Sequence, residues 1–154
     1  MQIKEAQIDD LHEILDLQKL CYHENALRYN DFYIPPLMET IEELKNDFRY
    51  STILKVVEDS HIIGSVRGNV KNDTCFIGRL IVHPQFQNKG IGRQLMSAIE
   101  NQFSAVNRYE LFTGFRDDKN LYIYNKMGYK EFKQVKINDD LTFIYLEKLN
   151  TVCI

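Results

Sequence analysis

Three strand-like segments follow one another between residues 52 and 82, and the connections between them are very short. Apolar and polar residues alternate in Thr52 to Glu58, Ile62 to Val70 and Thr74 to Val82, as they do in β-strands. Asp59-Ser60 and Lys71-Asn72-Asp73 separate the segments, and these residue types favour tight turns. Because parallel strands need a much longer connection, the three segments are predicted to form an antiparallel meander.

After the meander, the pattern changes to helix, strand and helix. Ile91, Leu95, Ile99 and Phe103 have helical spacing, and Glu110 to Thr113 is a short apolar strand, so this part predicts a β-α-β crossover. The remaining predicted elements are a helix ending at Gly128 and a hairpin turning at Asn138-Asp139-Asp140. Their bounds are Asp118 to Met127, Tyr129 to Ile137 and Leu141 to Leu149.

The N-terminal part predicts one strand and two helices. The strand covers Gln2 to Ala6, and Asp9 or Asp10 caps the first helix, with Glu13 completing a capping box. The apolar face of this helix is predicted to contain Ile8, Leu11, Ile14, Leu15 and Leu20. Periodicity is lost from Tyr22 to Pro36, which is interpreted as a loop, and Thr40 and Glu43 form the capping box of the second helix.

The predicted element order is β-α-α-β-β-β-α-β-α-β-β. It indicates an α+β fold, with a mixed, mostly antiparallel twisted sheet of about seven strands and helices on both faces. No linker or repeat interrupts the chain, so residues 1–154 are expected to form a single domain.

Composition excludes several partners. The 154 residues have a net charge of −3, which lacks the basic excess of a nucleic-acid-binding protein. No apolar run is long enough to span a membrane, and no signal peptide precedes the first strand, so a cytoplasmic protein without a membrane partner is expected. Cys21, Cys75 and Cys153 lack the spacing of a metal site, so we expect no metal and three reduced thiols.

The segment from Leu80 to Leu95 combines a strand, a turn with two glycines and a helix. Free amides and the dipole at a helix N-terminus favour an anion, and glycine allows a phosphate to approach the backbone. Lys89 and Arg93 add positive charge. Neither the G-x-G-x-x-G nor the Walker A pattern is present, which disfavours other nucleotide-binding folds. A purely structural turn remains the alternative at this point.

Two motifs resemble those of the GNAT N-acetyltransferase superfamily. The first is Gln87-x-x-Gly90-x-Gly92, preceded by Leu80-Ile81-Val82-x-Pro84. The second is Tyr124-Asn125-Lys126-Met127-Gly128-Tyr129, which is similar to a later motif of that family. The predicted element order is also similar, so the resemblance covers nearly the whole chain and implies a GNAT-like fold.

The resemblance implies acetyl-CoA as the cofactor. It places the CoA pyrophosphate on the backbone amides of residues 87–92 and pairs the pantetheine arm with the strand that ends at Val82. That strand would splay from the strand Glu110 to Thr113. The cofactor-binding residues so implied are Leu80, Ile81, Val82, Gln87, Asn88, Lys89, Gly90, Ile91, Gly92, Arg93, Asn120, Tyr124 and Lys126.

The resemblance also implies that Tyr124 is the general acid that protonates the departing CoA thiolate, although a tyrosine in a helix also fits a packing role. No carboxylate lies in the strand before the glycine turn, where some members have a glutamate and this chain has Arg79. Glu24, His83 or an ordered water chain are the candidate general bases. Cys75 has no paired histidine and is interpreted as a buried residue.

The acceptor is expected to bind at the aromatic and charged segment before the second helix. The candidate substrate-binding residues are Tyr22, Glu24, Arg28, Tyr29, Asp31 and Tyr33. Both signs of charge occur there, so the acceptor stays open, but a small amine is expected rather than a protein. The leading hypothesis is an N-acetyltransferase, and the alternative is a non-catalytic acyl-CoA-binding module. The resemblance allows a homodimer through Leu141 to Ile154, which equally fits a last core strand.

Overall fold

The computed structural model describes residues 1–150. Cys153 and the end of the proposed dimer segment lie outside the described residues. The strands are β1 Gln2–Glu5, β2 Thr52–Glu58, β3 His61–Lys71, β4 Thr74–Val82, β5 Arg108–Gly114, β6 Lys130–Asn138 and β7 Leu141–Leu149. The helices are α1 Leu11–Tyr29, α2 Pro35–Met38, α3 Ile41–Phe48, α4 Ile91–Gln102 and α5 Asp118–Lys126.

The strands form one seven-stranded sheet in the order β1-β2-β3-β4-β5-β7-β6. All neighbouring pairs are antiparallel except β4 and β5, which are joined through α4 and pair in parallel. The predicted meander is confirmed as β2, β3 and β4. Its two hairpins turn at Asp59-Ser60 and Asn72-Asp73, and these four residues have positive φ angles, as a type I′ turn requires at both central positions.

The sheet is covered by helices on both faces. Alternate residues of one strand belong to different cores: Leu54 and Val56 pack in the larger cluster with α4, whereas Ile53 packs in the cluster with α1 and α3. This alternation follows from the two-residue period of a strand. The mostly antiparallel sheet with helices on both faces confirms the predicted fold class.

The N-terminal helix differs from its prediction at both ends. Residues Ile8–Asp10 form a 3-10 turn, and the capping box is made by Gln7 and Asp10 rather than by Asp10 and Glu13. The Glu13 carboxylate instead accepts a hydrogen bond from the Ile62 amide at 2.9 Å. Ile8 is exposed, as is Leu20, so neither belongs to the buried face.

The interpretation of residues 22–36 as one loop is wrong. α1 continues to Tyr29, and its buried face there includes Ala26 and Tyr29. Asn30 ends the helix in the left-handed conformation with φ 51°, which asparagine tolerates better than most residues. The short helix α2, which starts at Pro35, was also not predicted.

The predicted second helix is confirmed as α3. The Thr40 hydroxyl accepts from the Glu43 amide at 3.1 Å, and the Glu43 carboxylate accepts from the Thr40 amide at 2.9 Å. The other strand and helix bounds differ from the sequence predictions by at most a few residues. None of the helices within residues 1–150 is both long and apolar enough to cross a membrane.

Candidate active site

The main feature of the candidate site is the divergence of β4 and β5. The two strands pair only at Thr74 with Arg108, Cys75 with Tyr109 and Phe76 with Glu110. Beyond Phe76, the edge of β4 that faces β5 has no strand partner in the described sheet. The predicted splay of the two strands is therefore present, and it leaves open main-chain groups of β4 along one side of a gap.

A β-bulge lies in β4 at this gap. Arg67 of β3 pairs with Gly78, whereas Ser65 pairs with Ile81, so β4 contains one extra residue. The extra residue brings Arg79 into the left-handed region, with a φ of 52°, so the backbone is strained at this position. Bulges of this kind bend a strand and redirect its side chains. The bulge thus separates the part of β4 that pairs with β5 from Leu80, Ile81 and Val82.

The segment from His83 to Gly92 follows the gap. Asn88 and Gly90 have φ angles of 64° and 82°, which place them in the left-handed region. Within residues 1–150, the amides of residues 88–93 donate no hydrogen bond to the protein. These free amides lie at the start of α4, where the helix dipole is positive. The backbone therefore has the properties of an anion site at the place where the sequence predicts one.

Gly92 lies where the start of α4 packs closely on α5. A Cβ atom at this position would lie 3.2 Å from Cδ1 of Ile123 in α5. The glycine therefore lets the start of α4 approach α5, the helix that carries Tyr124.

The side chains around the amide segment are only partly those predicted. The side-chain Nε2 of Gln87 donates to the Val82 carbonyl at 3.1 Å and fixes the segment to the end of β4. Lys119 of α5, which the sequence argument missed, donates to Gln87 Oε1 at 3.1 Å. Lys126 instead lies over the Tyr122 ring, 5.5 Å from its centre. Lys119 is therefore the α5 cation that the structure brings to the segment.

Three predicted cofactor residues lie near the segment without anchoring it. Lys89 is over the ring of Phe86 at 5.4 Å. Arg93 is exposed on the first turn of α4, and Asn120 is half-buried in the first turn of α5. Ile91 is buried in the larger core and anchors α4 to the sheet.

Tyr124 is buried, with 5% of its surface exposed, and its ring lies 5.9 Å from that of Tyr129. Its hydroxyl makes no hydrogen bond to any of the described residues. Burial raises the pKa of Tyr124 far above its ordinary value, and the neighbouring Tyr22 and Asp117 raise it further. The hydroxyl consequently keeps its proton at neutral pH.

Tyr22 of α1 interacts electrostatically with Tyr124. Burial raises the pKa of its phenol, although the nearby Arg79 acts in the opposite direction. Tyr22 packs against the cluster under α1, while Tyr124 belongs to the core on the other face of the sheet. The electrostatic interaction of the two phenols therefore runs from one face of the sheet to the other.

Asp117, which the sequence argument did not single out, holds α1 against the end of β5. Its carboxylate accepts hydrogen bonds from Tyr29 Oη at 2.9 Å, Thr113 Oγ1 at 2.7 Å and the Gly114 amide at 3.0 Å, and it pairs with Arg28 at 3.0 Å. A Cβ atom at Gly114 would lie 2.2 Å from the Tyr29 hydroxyl, so only glycine fits there.

Two predicted acceptor residues therefore have structural contacts: Tyr29 is buried, and Arg28 is in an ion pair. The Asp31 carboxylate accepts from the Tyr33 amide at 2.9 Å, and Tyr33 is exposed. Of the six predicted acceptor residues, Tyr22 is the one with electrostatic contact to Tyr124.

The two candidate bases have different surroundings. His83 Nδ1 accepts from the Gln85 amide at 3.1 Å, so His83 caps the turn Pro84–Phe86. Glu24 is exposed on α1, one helical turn from Cys21, whose thiol lies 3.4 Å from the Val82 carbonyl oxygen. Burial, with a contribution from Glu24, raises the pKa of the Cys21 thiol to about 12.

Cys75 is fully buried, and burial raises the pKa of its thiol to about 12. A protonated thiol is a poor nucleophile, so Cys75 has no features of a catalytic cysteine. Among residues 1–150, no group of three or more metal-binding side chains is arranged to hold a metal ion.

A buried charged cluster lies beside the gap, on the face covered by α1 and α3. Arg67 pairs with Glu39 at 2.7 Å and with Asp47 at 3.1 Å, and it donates to Gln18 Oε1 at 2.6 Å. Arg79 lies 3.9 Å from Glu39. Burial acts to raise the pKa of Glu39, but the hydrogen bonds and charges of its partners hold this pKa below the ordinary value.

The fold and the chain both match known acetyltransferases. The chain is similar in structure to the PaiA N-acetyltransferase of Thermoplasma acidophilum, solved in complex with coenzyme A. The TM-score is 0.77 at 18% identity, with 96% of this chain and 98% of the other covered. For the ribosomal-protein-S18-alanine N-acetyltransferase of Escherichia coli, the TM-score is 0.81 at 12% identity, with 99% and 96% covered.

A third similar structure is YncA of Salmonella typhimurium, a putative acetyltransferase solved with acetyl-CoA. The TM-score is 0.74 at 15% identity, with 97% of this chain and 93% of the other covered. The model of the acetyltransferase (GNAT) family matches residues 11–129. The chain therefore belongs to the GNAT acetyltransferase family. The predicted resemblance is confirmed.

Proposed function

We propose that this protein is an N-acetyltransferase that moves the acetyl group of acetyl-CoA directly to a primary amine. The observation that carries the proposal is the β4–β5 gap, with free amides of residues 88–93 after β4 and the protonated Tyr124 hydroxyl on α5. Family membership supports acetyl-CoA as the donor.

The residues fit the chemistry of CoA. The amides of residues 88–93 would bind the pyrophosphate, because they have no protein acceptor and lie at a positive helix end. Lys119 adds a cation next to Gln87. The open edge of β4 near Ile81 would pair with the amide groups of the pantetheine arm.

In the proposed reaction, the amine nitrogen forms a bond to the thioester carbon, and the carbonyl electrons move to oxygen. Backbone amides near Ile81 would stabilise this oxyanion. The tetrahedral intermediate then expels the CoA thiolate as its C–S bond breaks, and Tyr124 supplies a proton to the sulfur. The ammonium proton leaves to a base or to solvent, and Tyr124 regains a proton from solvent, so the products are an N-acetyl amine and CoA.

The general base is proposed to be Glu24 or an ordered water chain, rather than His83. Glu24 lies on α1 near Cys21 and the end of β4, whereas His83 Nδ1 is used as a turn cap. The protein would otherwise act by holding amine and thioester together, which itself removes much of the entropic barrier.

The test is a thiol-release assay with acetyl-CoA and a panel of amines, combined with calorimetric titration of CoA. We expect micromolar CoA binding and release that depends on an added amine. No binding at millimolar CoA would overturn the proposal. CoA binding without release for any amine would instead favour a non-catalytic acyl-CoA-binding module, to which the absence of a carboxylate in β4 after Asp73 gives some support.

A further inference from the structure

Helix α1 crosses the β4–β5 gap and is held on both of its sides. The Cys21 thiol donates to the Val82 carbonyl at 3.4 Å. The amide of the next residue, His83, bonds to β3, so the Val82 carbonyl points to the opposite edge of β4, into the gap. About two turns further along α1, the Tyr29 hydroxyl donates to Asp117, which follows β5. The part of α1 between these contacts therefore lies over the gap.

Tyr22 lies between the two contacts, directly after Cys21. It is seven residues before Tyr29, so the two side chains share the face of α1 that meets Asp117. Tyr124 is seven residues after Asp117 along α5. Both phenols are thus about two turns from the same hydrogen bond, with Tyr22 in the cluster under α1 and Tyr124 in the core on the other face of the sheet.

The hydroxyls of Tyr22 and Tyr124 make no hydrogen bond to the described residues. Within residues 1–150, three other tyrosines are buried, and the hydroxyl of each donates to a protein oxygen: Tyr29, Tyr109 and Tyr129. The side-chain polar atoms of this part of the chain that are both fully buried and unpaired are Nε of Arg67 and Nε of Arg79. The two phenol oxygens are therefore unpaired but accessible, so a ligand in the gap can reach them.

The charges around the two phenols place them close together and favour loss of a proton from Tyr22. Burial raises the pKa of Tyr22, and the guanidinium of Arg79 in the β4 bulge opposes it most strongly. After burial, Tyr22 is the largest influence on the pKa of Tyr124, and Asp117 raises the pKa of both phenols. The cation beside Tyr22 stabilises negative charge on its oxygen while a proton leaves.

The proposed reaction releases a proton at the amine and consumes one at the sulfur. If Tyr124 supplies the sulfur, its own oxygen must be protonated again before the next turnover. No carboxylate lies in β4 after Asp73, and Glu24 is exposed on α1. The proton that Tyr124 needs is the one that the amine releases, and Tyr22 is the phenol that interacts with Tyr124 from the α1 face.

We propose that Tyr22 is a second catalytic residue, which carries the ammonium proton of the tetrahedral intermediate to Tyr124. As the C–S bond breaks, Tyr124 gives its proton to the CoA sulfur, Tyr22 gives its proton to the Tyr124 oxygen, and the ammonium nitrogen gives its proton to the Tyr22 oxygen. One N–H and two O–H bonds break, and one S–H and two O–H bonds form, so both tyrosines end as they began. This relay rests on the proposed function and takes the place of the base left open there.

The first test removes the Tyr22 hydroxyl and varies the acidity of the ammonium. Tyr22→Phe keeps the ring in the α1 cluster and breaks no described hydrogen bond, so CoA affinity and the urea midpoint should stay near wild type. The acceptors are ethylamine, 2-fluoroethylamine and 2,2,2-trifluoroethylamine, which are similar in shape and increasingly acidic as ammonium ions. We expect kcat to fall about 100-fold with ethylamine and less than about fivefold with the trifluoro compound, whose ammonium gives its proton to water readily.

The second test supplies a base from solution. At fixed pH, added imidazole should raise kcat of Tyr22→Phe with ethylamine about fivefold and leave wild type unchanged, because wild type moves the proton internally. Tyr29→Phe is the matched control, since it removes a phenol hydroxyl of the same helix that has a structural hydrogen bond to Asp117. It should lower the urea midpoint, change the three amines equally and show no response to imidazole.

The inference and the proposed function fail in different ways. If wild type releases thiol and Tyr22→Phe stays within about twofold of it, the relay is overturned and the acetyltransferase remains. A loss in Tyr22→Phe that is equal for the three amines, as in Tyr29→Phe, also overturns the relay. If Tyr22→Phe does not fold, a wild-type rate that rises with imidazole overturns the relay and a constant rate supports it. Failure of wild type to release thiol with any amine overturns both proposals.

Discussion

The two sides of the β4–β5 gap are built in different ways. On one side, residues 88–93 offer main-chain amides, and two left-handed residues set their direction. On the other, the buried charged cluster is built from side chains, and Arg67 is held by Glu39, Asp47 and Gln18. The amide side therefore depends on backbone conformation, and the charged cluster depends on the balance of its side-chain charges. Substitutions in the amide segment and in the charged cluster should therefore have different effects.

The largest effect is expected at Tyr124, where the two sides meet. Tyr124→Phe removes only the hydroxyl, which makes no hydrogen bond to the described residues, so stability and CoA affinity should change little. We expect kcat to fall by roughly 10²–10⁴-fold, as for loss of a general acid. Steady-state thiol release at saturating amine, together with CoA calorimetry, measures this.

Tyr122→Phe is the matched control for this prediction. Tyr122 lies on the same helix but is 65% exposed, and its ring contacts Lys126. Its kcat should stay within about twofold of wild type. Equal kcat values for Tyr124→Phe and wild type with every active amine would remove Tyr124 from the mechanism.

The charged cluster should respond through stability. Glu39→Gln leaves Arg67 without its closest carboxylate, so we expect the free energy of unfolding at pH 7 to fall by about 2–4 kcal/mol. Because the folded pKa of Glu39 lies below its ordinary value of 4.5, the stabilisation is present above that value and is lost as the pH falls through the folded pKa. The difference in the free energy of unfolding between Glu39→Gln and wild type should therefore become smaller in acid.

Urea unfolding of both proteins at pH 7 and at about pH 3 measures this difference in the free energy of unfolding. Glu5→Gln removes an exposed carboxylate that makes no ion pair in the described chain, and should match wild type at both pH values. If the difference in the free energy of unfolding between Glu39→Gln and wild type does not depend on pH, the assigned role of the ion pair is contradicted.

The amide side should respond through CoA affinity. Gly90 has a φ of 82°, and an added Cβ would meet no atom within 4 Å, so Gly90→Val acts on backbone conformation alone. We expect CoA to bind about tenfold more weakly, since a left-handed side chain costs 1–2 kcal/mol and would turn the amides away. Acetyl-pantetheine, which lacks the pyrophosphate, should react equally well with both proteins. If Gly90→Val also reacts more slowly with acetyl-pantetheine, the substitution disturbs more than pyrophosphate binding.

The smallest expected effect concerns the cation on α5. Lys119→Met removes the ammonium that reaches Gln87, and we expect about threefold weaker CoA binding that disappears at high salt. Lys126→Met should bind CoA like wild type, because Lys126 lies over Tyr122. The reverse result would restore the role that the family resemblance gives to Lys126.

The sequence allowed correct predictions where short-range interactions decide the structure. The Thr40–Glu43 capping box spans three residues, and the left-handed turns at Asp59-Ser60 and Asn72-Asp73 require particular residue types. The anion segment belongs to this class, because a glycine and an asparagine set its backbone. The free amides and the strand gap could thus be anticipated with the help of the resemblance, whereas the role of Tyr124 stays a prediction.

Long-range contacts could not be anticipated in the same way. Arg67 and Gln18 are 49 positions apart, and Tyr29 and Asp117 are 88 apart. The last turns of α1 lack apolar periodicity because their inner face meets the polar Asp117 instead of a hydrophobic core. The same residues therefore gave a pattern typical of a loop. The buried charged cluster escaped prediction because its residues come from separate parts of the chain.

The bulge at Arg79 has an evolutionary consequence. Its φ of 52° is one that glycine adopts freely, and Gly78 stands directly before it in the chain. A glycine at position 79 would relax the backbone by about 1 kcal/mol but would remove the guanidinium that faces Glu39 and Tyr22. Selection for a relaxed backbone alone should thus replace Arg79 with glycine, so an arginine is expected to persist at this position only where the contacts of its guanidinium offset the backbone strain.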